Sequence, residues 1–385
     1  MSSKPLFVLD ARSVGGLLVP AVLLLGLAHA GNGRAWGADP APAAPAPVPP
    51  SAPSPPDSPL QVRYRLDLPG RGEIFPALAT GVPAEYWPVA VLTIVNSSTH
   101  PLVETVSAEI HDWSRVSAQT VYIAPNETRT LPLSPELLPQ AFANGEIHPA
   151  TLEVRASIPG TALSYDETRP VYLHSVSDFY WGDKFSNAEY IARWVTPHDP
   201  AVLQLVSSAR TYVRRGRLAG YELPSKSAPA AGGLTDPGSR TAAQVQNEAR
   251  AVFAAMKHLG VSYVDSIATY GNFASKAERV RLPRETLSMN GANCIDMSVA
   301  FASAMENLGM EPVIVLVPGH AFVGVRVGRH SPQILYLDLT VLPDGTFESA
   351  VARAQSWLNK TPKGKLSLID VAAARSHQIY PMPPV

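Results

Sequence analysis

The segment Gly291-Ala292-Asn293-Cys294-Ile295-Asp296, followed by Pro318-Gly319-His320-Ala321 and Tyr336-Leu337-Asp338-Leu339-Thr340, decides how the second half of this chain is read. Asn293 with Asp296 three residues on has the form of a capping box, which starts a helix at Cys294. Met297, Phe301, Ala304 and Leu308 continue at helical spacing, and Gly309 supplies the stop. Residues 313–317 are an unbroken apolar run of strand length. Residues 320–327 and 333–340 then read as a hairpin around 328–332. Alternation puts Ala321, Val323, Val325 and Val327 on one face and His320, Phe322, Gly324 and Arg326 on the other. In the return strand Leu335, Leu337 and Leu339 share a face, leaving Tyr336, Asp338 and Thr340 opposite. A turn centred near Arg329 or His330 pairs His320 with about Asp338.

These three residues have complementary chemistry. A thiol at a helix N-terminus meets partial positive charge and unsatisfied N–H groups, which favour thiolate. A histidine can take its proton, and a carboxylate can orient that histidine. Cys294, His320 and Asp338 are therefore the candidate catalytic triad, and Asp296 reads as a capping carboxylate. Cys294 is the only cysteine, so one Cys, one His and one Asp make an incomplete zinc set. His111, His148, His174, His198, His258, His330 and His377 show no ligand spacing, and no metal or cofactor is expected. No phosphate-binding G-x-x-x-x-G-K-[ST] is present.

The chain has 385 residues, a net charge of −1 and 16% charged residues. Such a balance gives no global field for nucleic acid or acidic ligands, and no nucleic-acid partner is expected. One cysteine leaves no intramolecular disulfide framework, so apolar burial must stabilise the core.

Lys4 and Arg12 precede an uncharged apolar run over 14–28, and Ala28-His29-Ala30 offers small residues for cleavage. Residues 1–30 thus read as an export signal, which makes the protein periplasmic or secreted. The alternative is an uncleaved anchor in the inner membrane, with the folded part facing the periplasm and the membrane as a partner only through that anchor. Residues 31–59 follow as a Pro/Ala-rich linker, with ten prolines between Asp39 and Pro59; such a segment is an extended spacer.

Residues 60–176 carry short β-patterned runs at 89–95, 103–110, 120–123, 128–133, 151–157 and 169–173. Their number and spacing predict an antiparallel β-sandwich, with immunoglobulin-like topology as the expected arrangement. Residues 177–385 turn helical. Asp199-Pro200 reads as an N-cap and first helical residue, opening a helix to about Arg214. A Pro/Ala/Gly/Ser loop is expected over 224–239, and a core helix over 241–259.

The run RVRLPRETLSMNGANCIDMSVAFASAMENLGMEPVIVLVPGHAFVGVRV…YLDLT (279–340) resembles the bacterial transglutaminase-like superfamily. That superfamily shares the papain-like arrangement of a helix-borne Cys with sheet-borne His and Asp. The resemblance implies an α+β domain in which Cys294 is the nucleophile, His320 the base and Asp338 the orienting acid. It also implies a cysteine protease-like hydrolase or acyltransferase acting on amide bonds, with a peptide or protein substrate, of the cell envelope if the export reading holds, as the expected partner. A non-catalytic envelope module that binds or scaffolds peptides on the same fold is the alternative. Two further segments, YWGDKFSNAEYIARWVTPHDPAV (180–202) and LSLIDVAAARSHQIYPMP (366–383), look like those flanking this domain in large bacterial helicase- or nuclease-associated proteins. Glu278 departs from the pattern by standing where a glutamine is expected, directly before Arg-Val-Arg-Leu-Pro.

Overall fold

The computed structural model describes residues 61–160, 164–222, 237–264 and 276–383. The expected export signal and linker lie outside the described residues, as does most of the loop expected over 224–239. Alternating burial organises the first half. The elements here are β1 (Val62–Asp67), β2 (Glu73–Ile74), the one-turn helix α1 (Pro76–Ala79), β3 (Ala90–Asn96) and β4 (Leu102–Ile110). They continue as β5 (Ser117–Ile123), β6 (Thr128–Leu133), α2 (Gln140–Ala143), β7 (His148–Ser157) and β8 (Ser164–Leu173).

Ala90, Leu92 and Ile94 of β3, and Val106, Ala108 and Ile110 of β4, are buried at every second position, as a strand with one covered face requires. Strands β1, β3 and β6 form an antiparallel sheet with β3 in the centre. A second sheet has the order β2-β8-β7-β4-β5, antiparallel except for the short parallel pair β2–β8. Leu92, Ile94 and Leu131 from the first sheet and Val106, Leu152 and Val154 from the second share one core. The turn after β3 is closed by Asn96, whose buried Oδ1 accepts from the Ser98 amide while its Nδ2 donates to the carbonyls of His100 and Ala124.

The second half mixes helices with small sheets, which makes the whole chain α+β. It runs β9 (Asp178–Tyr180), a 3₁₀ helix (Ala188–Trp194), α3 (Pro200–Ala209), α4 (Pro237–His258), β10 (Ser262–Tyr263), β11 (Ala277–Arg279), α5 (Pro283–Met289) and β12 (Gly291–Ala292). Then come α6 (Cys294–Asn307), β13 (Pro312–Val317), β14 (His320–Arg326), β15 (Ile334–Leu337), α7 (Phe347–Lys360), β16 (Ser367–Asp370) and α8 (Val371–Ser376). Asp199 caps α3 by accepting from the Ala201 amide. The helix gives way at Ala209 to 3₁₀ turns, short of the expected Arg214. Helix α4 begins at Pro237, inside the segment expected to be a loop.

Strands β15-β14-β13-β16 form an antiparallel sheet in which β13 and β14 are central. Its burial is continuous, not alternating, because helices cover both faces. Ile314, Leu316, Ala321, Val323 and Leu337 pack with Met297, Phe301 and Ala304 of α6. Val315, Phe322 and Tyr336 pack on the other side with Ala354, Trp357 and Leu358 of α7. The face bearing His320 is therefore closed beneath α7, which a reading of the hairpin alone left open.

The hairpin register differs by two residues from the expected one. Val323 pairs with Leu337 and Gly324 with Tyr336. Extending that ladder places Asp338 across from Phe322, one diagonal away from His320.

The two halves meet at a buried ionic group. His174 follows β8 and contacts Glu73 through Nε2 at 2.7 Å and Asp178 through Nδ1 at 3.2 Å, with Phe75 stacked on its ring at 4.0 Å. Asp178 is in turn bound by Arg279 Nε at 3.1 Å, so the junction continues into β11.

Candidate active site

Cys294 is placed by its helix. Asn293 accepts from the Asp296 amide at 2.9 Å, and Asp296 Oδ2 accepts from the Asn293 amide at 3.1 Å, which completes the capping box and makes Cys294 the first helical residue. Asp296 is buried and also accepts from the Arg281 amide at 2.7 Å and Arg281 Nη1 at 3.1 Å. Burial pushes its carboxyl pKa up against the pull of these donors. Its partners are structural, in keeping with the capping role.

His320 is placed by a tight turn. Pro318-Gly319 joins β13 to β14, with Val317 paired to His320 and Gly319 at φ 71°, the positive angle a type II turn needs at that position. The next amide, that of Ala321, lies near the Cys294 thiol, as does the Ile295 amide, and both pull its pKa down. The sulfur thus sits against the residue that follows His320, and helix and strand bring these two candidates together.

Asp338 ends the return strand and caps a 3₁₀ turn. It is fully buried, and its Oδ2 lies 3.0 Å from His320 Nε2. Trp357 Nε1 donates to the same oxygen at 3.1 Å, and Arg353 Nε lies 3.2 Å from it. Oδ1 accepts from the Thr340 amide at 3.1 Å and the Thr340 hydroxyl at 2.7 Å. Burial alone would raise this carboxyl, but the bonds from His320 and Thr340 outweigh it, and Asp338 is held below the usual carboxylate range. Trp357 also stacks on the imidazole, with ring centroids 4.7 Å apart.

The thiol departs from expectation. Burial is the largest influence on Cys294 and pushes its pKa up to about 11. The Ala321 and Ile295 amides pull it down, as the helix-start argument requires, but the charges of Glu278 and Asp338 add to burial. At neutral pH the resting group is a thiol, so a base is needed to draw off its proton. His320 can serve: Nε2 is committed to Asp338, which leaves Nδ1 to receive it.

Glu278 joins the site through β11, which pairs with β9. Asn293 Nδ2 donates to its Oε1 at 3.1 Å and Trp181 Nε1 to its Oε2 at 3.2 Å. Sequence reasoning found the departure at Glu278 but missed Arg353 and Trp357. Their signal was their spacing, four residues apart and so on one face of α7, a helix that the sequence reading did not identify.

Among the described residues, Glu109, His111 and Glu153 have ligand-type atoms within 4.8 Å of one another and are the group that could hold a metal. His111 is thus better placed than its spacing suggested, because Glu109 and His111 share a strand face and Glu153 is the cross-strand neighbour of Glu109. Arg155 already forms an ion pair with Glu153, and the thiol site is formed by other residues. No helix among the described residues is long and apolar enough to cross a membrane.

No family model matches the chain, and no curated protein matches it. Among solved structures, the crystal structure of a FixG-related protein from Vibrio parahaemolyticus is similar at 15% identity. It aligns with 30% of this chain and 95% of its own, at a TM-score of 0.20. A likeness of that size carries no argument about fold or function.

Proposed function

We propose that this chain is an exported thiol-dependent hydrolase or acyltransferase acting on amide bonds of a peptide or protein, with a transglutaminase-like second half and an immunoglobulin-like sandwich before it. The observation that carries the reading is the meeting of Cys294 with the head of β14, where the Ala321 amide reaches the sulfur and the preceding His320 is held by Asp338. In the proposed reaction the thiol proton passes to Nδ1 of His320 as sulfur bonds to the carbonyl carbon. Asp338 stabilises the imidazolium, which then protonates the leaving amine as the C–N bond breaks. Water or an acceptor amine would next cleave the thioester. The Cys294 amide, at a helix position with no intrahelical acceptor, would help bind the oxyanion. A periplasmic or secreted location, with an uncleaved inner-membrane anchor as the alternative, is supported by residues 1–30 alone.

A second reading is favoured by Glu278. Its carboxylate beside the nucleophile opposes both a thiolate and an oxyanion, as a peptide-binding module without turnover would tolerate. Intact-mass spectrometry after incubation with an activated acyl ester separates the two. An enzyme acquires one acyl group that hydroxylamine releases and that Cys294→Ala cannot carry. A protein that binds without reacting stays at its native mass, which would overturn the proposal.

A further inference from the structure

Asp338 has more partners than an orienting carboxylate needs. Three nitrogens from two elements converge on Oδ2: His320 Nε2 at 3.0 Å and Trp357 Nε1 at 3.1 Å by hydrogen bond, and Arg353 Nε at 3.2 Å as an ion pair. A carboxylate paired with imidazole alone lends its whole charge to the imidazolium formed during proton transfer. Here a permanent cation already occupies the same oxygen. On the imidazolium its two effects have one sign, because the guanidinium neutralises the charge that would stabilise the imidazolium and also repels it directly.

We infer that Arg353 is a positioning residue that restrains proton transfer from Cys294 to His320. The inference rests on the proposed Cys–His chemistry and adds a control to it. The restraint is releasable by its placement. The Arg353 side chain is 56% exposed, whereas the carboxylate it contacts is fully buried, so solvent competes for the guanidinium and can draw it away. Trp357, one turn further along α7, is built differently. Its indole N–H binds the same oxygen while its ring covers the imidazole, so the dyad keeps its geometry when Arg353 leaves. Among the described residues, charge and titratable groups reach this dyad from Cys294 on α6, Glu278 on β11 acting through the thiol, and Arg353 on α7. Glu278 and Asp338 oppose the thiolate, Asp338 favours the imidazolium, and Arg353 offsets that last effect.

The test is the NMR titration of the His320 ring in the full chain, with alkylation of the single cysteine by iodoacetamide as a second readout. Arg353→Gln should move the imidazolium titration up by roughly half to one pH unit. It should also speed alkylation near pH 6.5 by about 3- to 10-fold, and Arg353→Lys should return both toward wild type. A purely structural arginine would move neither the titration nor the alkylation profile, and unchanged values in Arg353→Gln would overturn the inference. If His320→Gln also leaves alkylation unchanged, the Cys–His pairing itself has failed. If His320→Gln slows alkylation while Arg353→Gln does nothing, only the restraint is lost.

Discussion

His320 and Asp338 meet at 3.0 Å although the hairpin ladder sets Asp338 opposite Phe322 instead of His320. The contact is diagonal, and it holds because the Asp338 amide is tied to the Ala350 carbonyl of α7 at 3.0 Å and its side chain to Thr340 and Trp357. The dyad thus depends on α7 as much as on the sheet.

Asp338→Asn should therefore damage folding as well as chemistry. An amide in that place turns an NH₂ toward groups that are themselves donors, leaving buried donors unsatisfied. We expect a loss of about 3 kcal/mol by urea unfolding. His320→Gln should cost clearly less, since only one of the donors at Asp338 changes. Equal stability of Asp338→Asn and wild type would show that the carboxylate is not needed as an acceptor.

The raised thiol pKa has a consequence for stability. Cys294 has an ordinary value of 9.0 and is pushed up to about 11 in the folded chain. Below pH 9 folded and unfolded chains both hold the proton, and the contribution is fully present. Between pH 9 and 11 the unfolded chain releases its proton while the folded chain keeps it, so stability falls as pH rises. The loss should approach roughly 2–3 kcal/mol. Cys294→Ala should remove it, so the stability difference between the two proteins should shrink or reverse between pH 8 and pH 10.5. A difference that is flat with pH would mean that the thiol is not raised.

Removing Asp296 tests the nucleophile's helix. Asp296→Ala deletes the acceptor for the Asn293 and Arg281 amides and leaves the Arg281 guanidinium, 15% exposed, without its carboxylate. The expected cost is about 3 kcal/mol in thermal or urea unfolding. A cost near zero would show that α6 starts without its cap.

At the junction, His174→Ala should be among the most destabilising single changes. It leaves Glu73 and Asp178 buried and facing each other across a cavity under Phe75. We expect at least about 3 kcal/mol. A stability within 1 kcal/mol of wild type would mean that the two halves are held by the apolar contacts alone.

Much of this was legible in the sequence because local rules were strong there. Asn293 and Asp296 announced the start of α6, and the apolar runs at 313–317 and 89–95 announced strands, although the second proved half-buried and not buried on both faces. What was not legible depended on contacts distant in sequence. Nothing local to His320 says that Trp357 will cover it, or that Arg353 will share its carboxylate. The register was off by two residues because such a shift keeps every side chain on its face, so hydrophobic alternation cannot set it and the turn, with His330 at φ 56°, does. The helix-start argument for a thiolate identified real donors, but it did not include the burial of Cys294 or the carboxylates of Glu278 and Asp338.

The most direct measurement of the central claim is the rate of iodoacetamide alkylation of Cys294 against pH, in the native full chain and in His320→Gln. If His320 receives the thiol proton, the wild type should show a shoulder of reactivity near neutral pH. His320→Gln should lose that shoulder and rise only toward about pH 11, the value the buried thiol has on its own. Identical profiles for the two proteins, with fast labelling only after denaturation, would contradict the account and leave Cys294 a core residue.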